Sequence, residues 1–319
     1  MKILTTKQLL EADQFTIEKE PNESIDLIES CFIENAQTNF HLLKNEEIKQ
    51  KIKTRKKFSH KGTYGHALIV AGSIGKMGAC VLSTKAALRS GAGLVTAFVP
   101  KCGYEIIQMT NPEAMCELSS EENFLAGDLI WKNYSAIGIG PGIGKEIKTM
   151  QLIEHLLHNY SGPLVLDADA LNLISEYDSL FDKIPENSIL TPHPKEFDRL
   201  FGKSDSAFSR LNKQMEQAKK LKCFVVLKGT YTSFCGPEGV VYFNNTGNSG
   251  MAKGGSGDVL TGLLTGLLAQ GYSTEDTCKI GVWIHGLAGD FAARKKNEIT
   301  MTAMDLIDGF TDAFNEAIL

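Results

Sequence analysis

Nothing in this sequence approaches the roughly 18 unbroken apolar residues that a membrane-crossing helix needs, although 43% of its 319 residues are hydrophobic. The amino-terminal stretch Met1–Gln14 has no apolar signal core, and its acidic residues Glu11 and Asp13 argue against a transit peptide. A cytoplasmic protein is expected. Metal-site cysteine spacing is also missing. The seven cysteines, Cys31, Cys80, Cys102, Cys116, Cys223, Cys235 and Cys278, are odd in number and widely spread. They read as reduced thiols, with Cys80, Cys116 and Cys223 packed in apolar runs. An excess of positive charge is lacking too: the formal net charge is -5, which argues against bulk nucleic-acid binding. There is no internal repeat and no low-complexity segment. Two common phosphate-binding signatures are absent. No Gly-x4-Gly-Lys-Ser/Thr loop occurs, since Gly72-Ser-Ile-Gly-Lys76 and Gly142-Ile-Gly-Lys145 lack the spacing and the following hydroxyl. Gly138-Ile-Gly-Pro-Gly-Ile-Gly144 misses the third glycine of the dinucleotide fingerprint. It does follow a strand pattern, so its backbone is a candidate for close approach to a ligand.

What is present is enough apolar sequence for a large α/β core. Residues 1–50 read as an extension and linker, with helical spacing from Thr5 to Ile17 and Leu9, Leu10 and Ile17 as one apolar face. The Lys/Arg-rich run Lys44–Lys57 reads as a solvated helix leading into the main domain at 51–319. There, short apolar β runs alternate with helical stretches. The strands expected are Ala67–Ala71, Leu94–Val99, Ala136–Ile139, Leu164–Leu166, Ser188–Leu190, Phe224–Leu227 and Val240–Phe243. The helices are Ala79–Arg89, Ile147–His158, Lys195–Phe201, Ala207–Leu221, Val259–Gln270, Glu275–Lys295 and Ala303–Ala317. Near-continuous Val/Ile/Leu runs suit strands buried on both faces of a mostly parallel sheet. The expected fold is a doubly wound α/β sheet with helices on both faces, and its chemistry belongs in the loops after the strands.

Four such loops stand out. The strongest is Asn248-Ser-Gly-Met-Ala-Lys-Gly-Gly-Ser-Gly-Asp258, followed by an apolar helix. Gly254, Gly255 and Gly257 allow a tight turn and close approach, and Ser256 lies among them. The free N–H groups and dipole of the helix start make a site for a phosphoryl anion. Asp258, in the first helical turn, is placed to take a proton from a hydroxyl. The helix start should keep it charged, making it a weak ground-state base whose proton moves late. The second loop, Leu190-Thr-Pro-His-Pro-Lys-Glu196, holds His193 between two prolines as a ligand residue, with Glu196 as a possible helix-start carboxylate. In the third, Lys228 can neutralise phosphate, and Gly229, Thr230, Tyr231 and Thr232 supply donors. In the fourth, Asp167-Ala-Asp-Ala-Leu-Asn172, the carboxylates either organise Mg²⁺ and phosphate or cap the next helix.

Taken in order, His60-Lys-Gly-Thr-Tyr-Gly-His-Ala, Ala71-Gly-Ser, Met77-Gly-Ala, Arg89-Ser-Gly-Ala-Gly, Gly140-Pro-Gly, Asp167-Ala-Asp-Ala-Leu-Asn, Thr191-Pro-His-Pro-x-Glu, Leu227-Lys-Gly and Gly254-Gly-Ser-Gly-Asp resemble the ADP/ATP-dependent NAD(P)H-hydrate dehydratases. The resemblance spans roughly residues 50–319 and implies a ribokinase-like fold. It implies that hydrated NADH or NADPH loses water at the expense of a nucleotide's terminal phosphoryl group, with ADP the expected donor and Mg²⁺ the accompanying cation. Carried over by position, Asp258 acts on the hydrate hydroxyl. Gly78, Ala79, Gly142 and His193 line the hydrate site. Lys228 to Thr232 and Gly254 to Gly257 hold the nucleotide. A homo-oligomer, a tetramer by resemblance, is implied, with no membrane or nucleic-acid partner. Ser249 stands where a proline is common, which is expected to loosen the loop. The opening residues resemble the first helix of the NAD(P)H-hydrate epimerases without the catalytic body, so no epimerase activity is expected. The competing readings are a small-molecule hydroxyl kinase of the same fold and a catalytically silent binding protein. Large exposed apolar patches are rare on soluble monomers, so the Leu9, Leu10 and Ile17 face is expected to dock, most simply between subunits. Deleting residues 1–35 is then expected to leave turnover intact while lowering solubility or changing oligomer size, read by light scattering beside an activity assay. Loss of activity with size and fold unchanged would contradict it.

Overall fold

A computed structural model of the chain describes residues 40–318. The expected helix Thr5–Ile17 and Cys31 lie outside them. In chain order the elements are β1 (Phe40–Leu42), α1 (Asn45–Lys51), β2 (His66–Val70), α2 (Met77–Arg89), β3 (Leu94–Val99), α3 (Tyr104–Thr110), β4 (Met115–Leu118), β5 (Ala136–Ile139), α4 (Ile147–Asn159), β6 (Leu164–Leu166) and α5 (Ala168–Glu176). They continue with α6 (Asp178–Phe181), β7 (Ile189–Leu190), α7 (Pro194–Phe201), α8 (Ala207–Leu221), β8 (Phe224–Leu227), β9 (Ser233–Cys235), β10 (Val241–Phe243), α9 (Ser256–Ala269), α10 (Thr274–Lys296), α11 (Ala303–Asp308) and α12 (Phe310–Ile318).

The strands form one sheet in the order β1-β10-β9-β8-β7-β6-β5-β2-β3-β4. Every pairing is parallel except the two made by β9. The order reverses between β2 and β5, which makes that crevice the topological switch point. Side chains alternate across the sheet as the pleat requires. In β2, Ala67 and Ile69 join the core under α2, α9 and α10, while Leu68 and Val70 join the core under α4 and α5. The expected doubly wound sheet with helices on both faces is therefore what the chain forms. No helix among the described residues is long and apolar enough to cross a membrane. The six described cysteines are free thiols, with Cys80 and Cys223 buried and Cys116 partly so.

Three differences from the sequence reading have physical causes. Residues 40–50, assigned to the extension, belong structurally to the sheet. β1 pairs with β10, Leu43 and Ile48 are fully buried, and the nearly buried Lys279 ammonium on α10 binds Glu47 at 2.8 Å and Glu275 at 2.9 Å. β4 is the other edge strand, and it carries too many exposed residues to show a buried pattern. The last helix is two, α11 and α12, meeting at Gly309, where a Cβ would lie 2.5 Å from the Ala288 carbonyl oxygen of α10.

α9 is the central helix. Every residue from Val259 to Ala269 is buried, so its sequence is apolar all round. It lies against α2 through two glycines one turn apart. A Cβ on Gly262 would stand 2.0 Å from the Ser83 carbonyl oxygen, and one on Gly266 would stand 1.9 Å from the Ser90 hydroxyl. Gly262→Ala is expected to force the helices apart and cost about 1–3 kcal/mol, the usual range for overpacking. Urea unfolding of the variant reads this directly, and an unchanged midpoint would contradict it.

Candidate active site

The loops after β2 and β5 interlock at the switch point. Gly72 N donates to the Pro141 carbonyl at 2.9 Å, and the Ser73 hydroxyl donates to the Gly142 carbonyl at 2.7 Å. Gly142 has φ +65, and a Cβ there would stand 3.2 Å from the Ala79 Cβ. Gly142, Gly78 and Ala79 thus meet at the start of α2, with open space over Gly78. Gly140 makes its close approach to protein, not to a ligand: a Cβ there would stand 1.8 Å from the Asp167 carbonyl oxygen.

Beside them α9 begins. Gly255, at φ +98, is its N-cap and carries no side-chain cap. By position, the amides of Gly257 and Asp258 have no partner within the helix. Nothing lies within 4 Å of where a Cβ on Gly254 would be. Lys253 does not join this anion site. Its ammonium donates to the carbonyls of Ile299 and Met301, both at 2.6 Å, and ties the loop down. Ser249 contacts the same segment, through its hydroxyl to the Glu298 carboxylate.

A buried polar network lies under the turn. Asp167 is 1% exposed; one oxygen accepts from the Lys228 ammonium at 2.7 Å and the other from the Thr261 hydroxyl at 2.8 Å. Lys228 also lies 3.9 Å from Glu196. Burial works against its charge, but Asp167 and Glu196 outweigh that and hold it protonated. Asp169 accepts from Gly144 N at 2.9 Å and pairs with Lys76 at 3.4 Å. Between the two aspartates Ala168 has φ 46, a left-handed conformation that costs a non-glycine residue on the order of 1 kcal/mol. His193 and Glu196 form a reciprocal cap on α7. His193 Nδ1 accepts from Lys195 N at 3.1 Å and Glu196 N at 3.2 Å, and Glu196 accepts from His193 N at 2.8 Å. His193 Nδ1 is therefore the acceptor nitrogen, and the half-exposed ring has Nε2 as its N–H. Gly229 and Thr230 are exposed and Thr232 is half-buried, whereas the Tyr231 side chain packs in the core beside Phe197 and Val225.

Asp258 corrects the sequence reading. Burial raises its pKa from 3.8 to about 6, and Asp167 adds to the rise while Lys228 opposes it. These effects outweigh the helix dipole, whose contribution is usually under about 1 kcal/mol. The carboxylate is thus a competent base near neutrality. Thr261 is a further site residue, and its signal in the sequence was a lone hydroxyl in an apolar helix. Among the described residues no group of three or more His, Cys, Asp or Glu is arranged to hold a metal.

Comparison with known proteins gives one consistent answer. The profile of a family described as NAD(P)H-hydrate dehydratase matches residues 67–311. The chain is 38% identical over 280 residues to the bifunctional NAD(P)H-hydrate repair enzyme Nnr of Moorella thermoacetica, across 85% of this chain and 53% of that protein. It is 33% identical over 265 residues to the ADP-dependent (S)-NAD(P)H-hydrate dehydratase of Bacillus subtilis, across 82% of this chain and 94% of that protein. The chain spans about half the length of most of the curated relatives it matches. A crystal structure of the Bacillus subtilis ADP/ATP-dependent NAD(P)H-hydrate dehydratase, co-crystallized with ATP/Mg²⁺, is similar at TM-score 0.73 and 30% identity, covering 86% of this chain and 97% of that one. A ribokinase-like superfamily protein of Enterococcus faecalis V583 is similar at TM-score 0.75 and 26% identity, covering 90% and 100%. The fold is ribokinase-like.

The Asp258 shift has a signed consequence for stability. Its folded pKa, about 6, lies above the unfolded value of 3.8. The folded state therefore binds the proton more tightly, and this group's stabilising contribution is full below 3.8 and lost as pH rises through 6. Asp258→Asn, neutral throughout, is expected to gain on the wild type by roughly 2 kcal/mol between pH 4 and pH 7. Denaturant titrations of both proteins at the two pH values check this; a constant difference would refute it. Lys228→Ala is expected to destabilise by about 3 kcal/mol or more, because it strands buried Asp167. Adding Asp167→Asn is expected to recover much of that stability, measured the same way.

Proposed function

The chain belongs to the NAD(P)H-hydrate dehydratase family, and from that premise we propose that it uses the terminal phosphoryl group of ADP or ATP to dehydrate hydrated NADH or NADPH. The observation that carries the reading is the pairing of an elevated-pKa carboxylate, Asp258, with the open helix start it sits on. ADP is the preferred donor in this reading, in keeping with the name of the Bacillus subtilis relative. The protein works in the cytoplasm as a homo-oligomer.

The nucleotide lies along Lys228, Gly229, Thr230, the Tyr231 backbone and Thr232. Its terminal phosphoryl group rests on the amides of Gly254, Gly255, Ser256 and Gly257. The hydrate lies over Gly78, Ala79 and Gly142, with His193 Nε2–H as a donor. Its hydroxyl oxygen bonds to phosphorus while its proton passes to Asp258. The bond from phosphorus to the nucleotide's bridging oxygen breaks, and AMP leaves from ADP, or ADP from ATP. The substrate now carries a phosphate, a far better leaving group than hydroxide. The carbon–oxygen bond breaks, inorganic phosphate departs, and the ring gives up a proton to become the normal reduced cofactor.

Mg²⁺ fits this site in one manner only. With no three-ligand protein cage, the ion suits the mode in which one or two carboxylates act with substrate phosphates and waters. Asp169, less buried than Asp167 and not paired with Lys228, is the carboxylate at hand, and the ion would supply charge neutralisation on the phosphoryl oxygens.

The test is incubation with hydrated NADH and ADP or ATP. Recovery of the reduced-nicotinamide absorbance in step with phosphate release is expected. A stable phosphorylated product would instead identify a kinase, and no reaction would refute the proposal. Asp258→Asn is expected to lower turnover by on the order of 10²–10⁴ with the fold intact. The wild-type kcat/KM is expected to fall below pH 6 as Asp258 takes up its proton, and the residual activity of the Asn variant to lack that limb. Wild-type turnover in the variant would remove Asp258 from the role.

A further inference from the structure

The loop ahead of the anion turn is held by α10. Asp290 accepts from Gly247 N and from the Asn248 side-chain amide, both at 3.0 Å. The Thr246 hydroxyl donates to the Trp283 carbonyl at 3.0 Å, an approach allowed by Gly286, where a Cβ would stand 2.2 Å from that hydroxyl. These contacts fix the loop upstream of the turn. One α10 side chain hydrogen-bonds to the turn itself. His285 Nε2 lies 2.9 Å from the Ser256 carbonyl oxygen. A carbonyl oxygen only accepts, so Nε2 carries the proton and donates. Burial, with Lys228 nearby, pulls the His285 pKa down to about 4, so the ring is neutral at working pH.

The geometry of the peptide gives this bond its meaning. The Ser256 carbonyl and the Gly257 N–H are the two ends of one planar trans peptide and point in opposite directions. Holding the carbonyl from behind aims the amide out of the helix start. That first turn is costly to order, because Gly254, Gly255 and Gly257 lose much conformational freedom. The Gly255 N-cap also has no side chain to pin it. We propose that His285 is a positioning residue: by donating to the Ser256 carbonyl it fixes the Ser256–Gly257 peptide, so that the Gly257 amide is presented to the nucleotide's phosphoryl group. The inference rests on the anion-site reading above. The same bond polarises the peptide, which strengthens the outward donor.

Two variants test it. His285→Leu keeps most of the volume and removes the donor. His285→Gln keeps a donor within reach of Ser256. Steady-state kinetics with hydrated NADH and ADP, calorimetric titration with ADP, and melting curves are the readouts. The Leu variant is expected to raise the KM for ADP about tenfold and to lower kcat, with the KM for the hydrate unchanged. The Gln variant is expected to recover most of both. A Leu variant with wild-type ADP kinetics would overturn the proposal. So would a KM rise shared equally by both substrates, as a merely structural role gives, or a Gln variant no better than Leu. If the Leu variant does not fold, His285→Asn, whose amide is too short to reach Ser256, replaces it with the same deciding outcomes. If the wild type binds ADP but does not dehydrate the hydrate, the proposed function falls. The calorimetry then decides the His285 inference alone: weaker ADP binding in the Leu variant supports it and equal binding overturns it.

Discussion

The close packing of α9 on α2 is the constraint on which the site depends. Gly262 and Gly266 let the two helices approach until backbone meets backbone at Ser83 and the Ser90 hydroxyl fills the second gap. The start of α9 carries the anion turn and the start of α2 carries Gly78 and Ala79. Their separation is therefore set by the absence of two methyl groups a turn or more away. Gly255 continues the same contact upward, where a Cβ would stand 2.6 Å from Leu82 and 2.8 Å from Ala303. In the proposed reaction a phosphoryl acceptor and donor would have to meet within bonding distance, so a small error here would be expensive in rate. The rigid helix pair removes that error before any ligand arrives.

The second constraint is electrostatic. Asp167 is almost fully buried, and a buried charge is tolerated only when its lone pairs are satisfied. Lys228 and Thr261 satisfy both oxygens. Fixed there, Asp167 pushes the proton affinity of Asp258 upward, adding to the effect of burial. The network thus separates two aspartates by role. One accepts from Lys228 and holds it in place, and the other has its pKa raised to about 6. The strained Ala168 between Asp167 and Asp169 is consistent with this: the chain turns sharply so that neighbouring carboxylates face different partners, Lys228 on one side and Lys76 with Gly144 on the other.

Most of the central sheet was legible in the sequence because its strands are continuous apolar runs, buried on both faces. The edges were not. β1 contains an exposed histidine, three of the four residues of β4 are exposed, and β9 is only three residues long. The Gly254–Asp258 turn was legible because local backbone chemistry demands those residue types, whereas His193 was read as a ligand residue and its Nδ1 cap on α7 emerged only in the fold. Asp167 was left between capping and ligand binding because its partners lie 61 and 94 residues away and meet it only in the fold. Asp258 was misjudged as a weak base for the same reason. The helix dipole can be read locally, whereas burial and the Asp167 charge cannot. His285 offered no local pattern at all, since its meaning lies in a contact with Ser256, 29 residues away.

The charge count around the turn shapes how a polyanion can bind. Asp167, Asp169, Glu196 and Asp258 stand against Lys76, Lys228 and Lys253, the last with its ammonium turned to the Ile299 and Met301 carbonyls. Side-chain charge alone therefore leaves the site negative when Asp258 is ionised. Attraction for a phosphoryl group has to come from oriented backbone amides and helix dipoles, which add partial positive charge without a titratable group. In the proposed reaction, a nucleotide arriving with its own divalent cation would bring the remaining compensation. This arrangement has a chemical advantage over a cluster of lysines. Fixed ammonium groups beside Asp258 would depress its pKa and weaken it as a base. Amides and dipoles aimed at the phosphoryl oxygens, with Asp258 buried beside Asp167, let anion binding and proton abstraction share one helical turn.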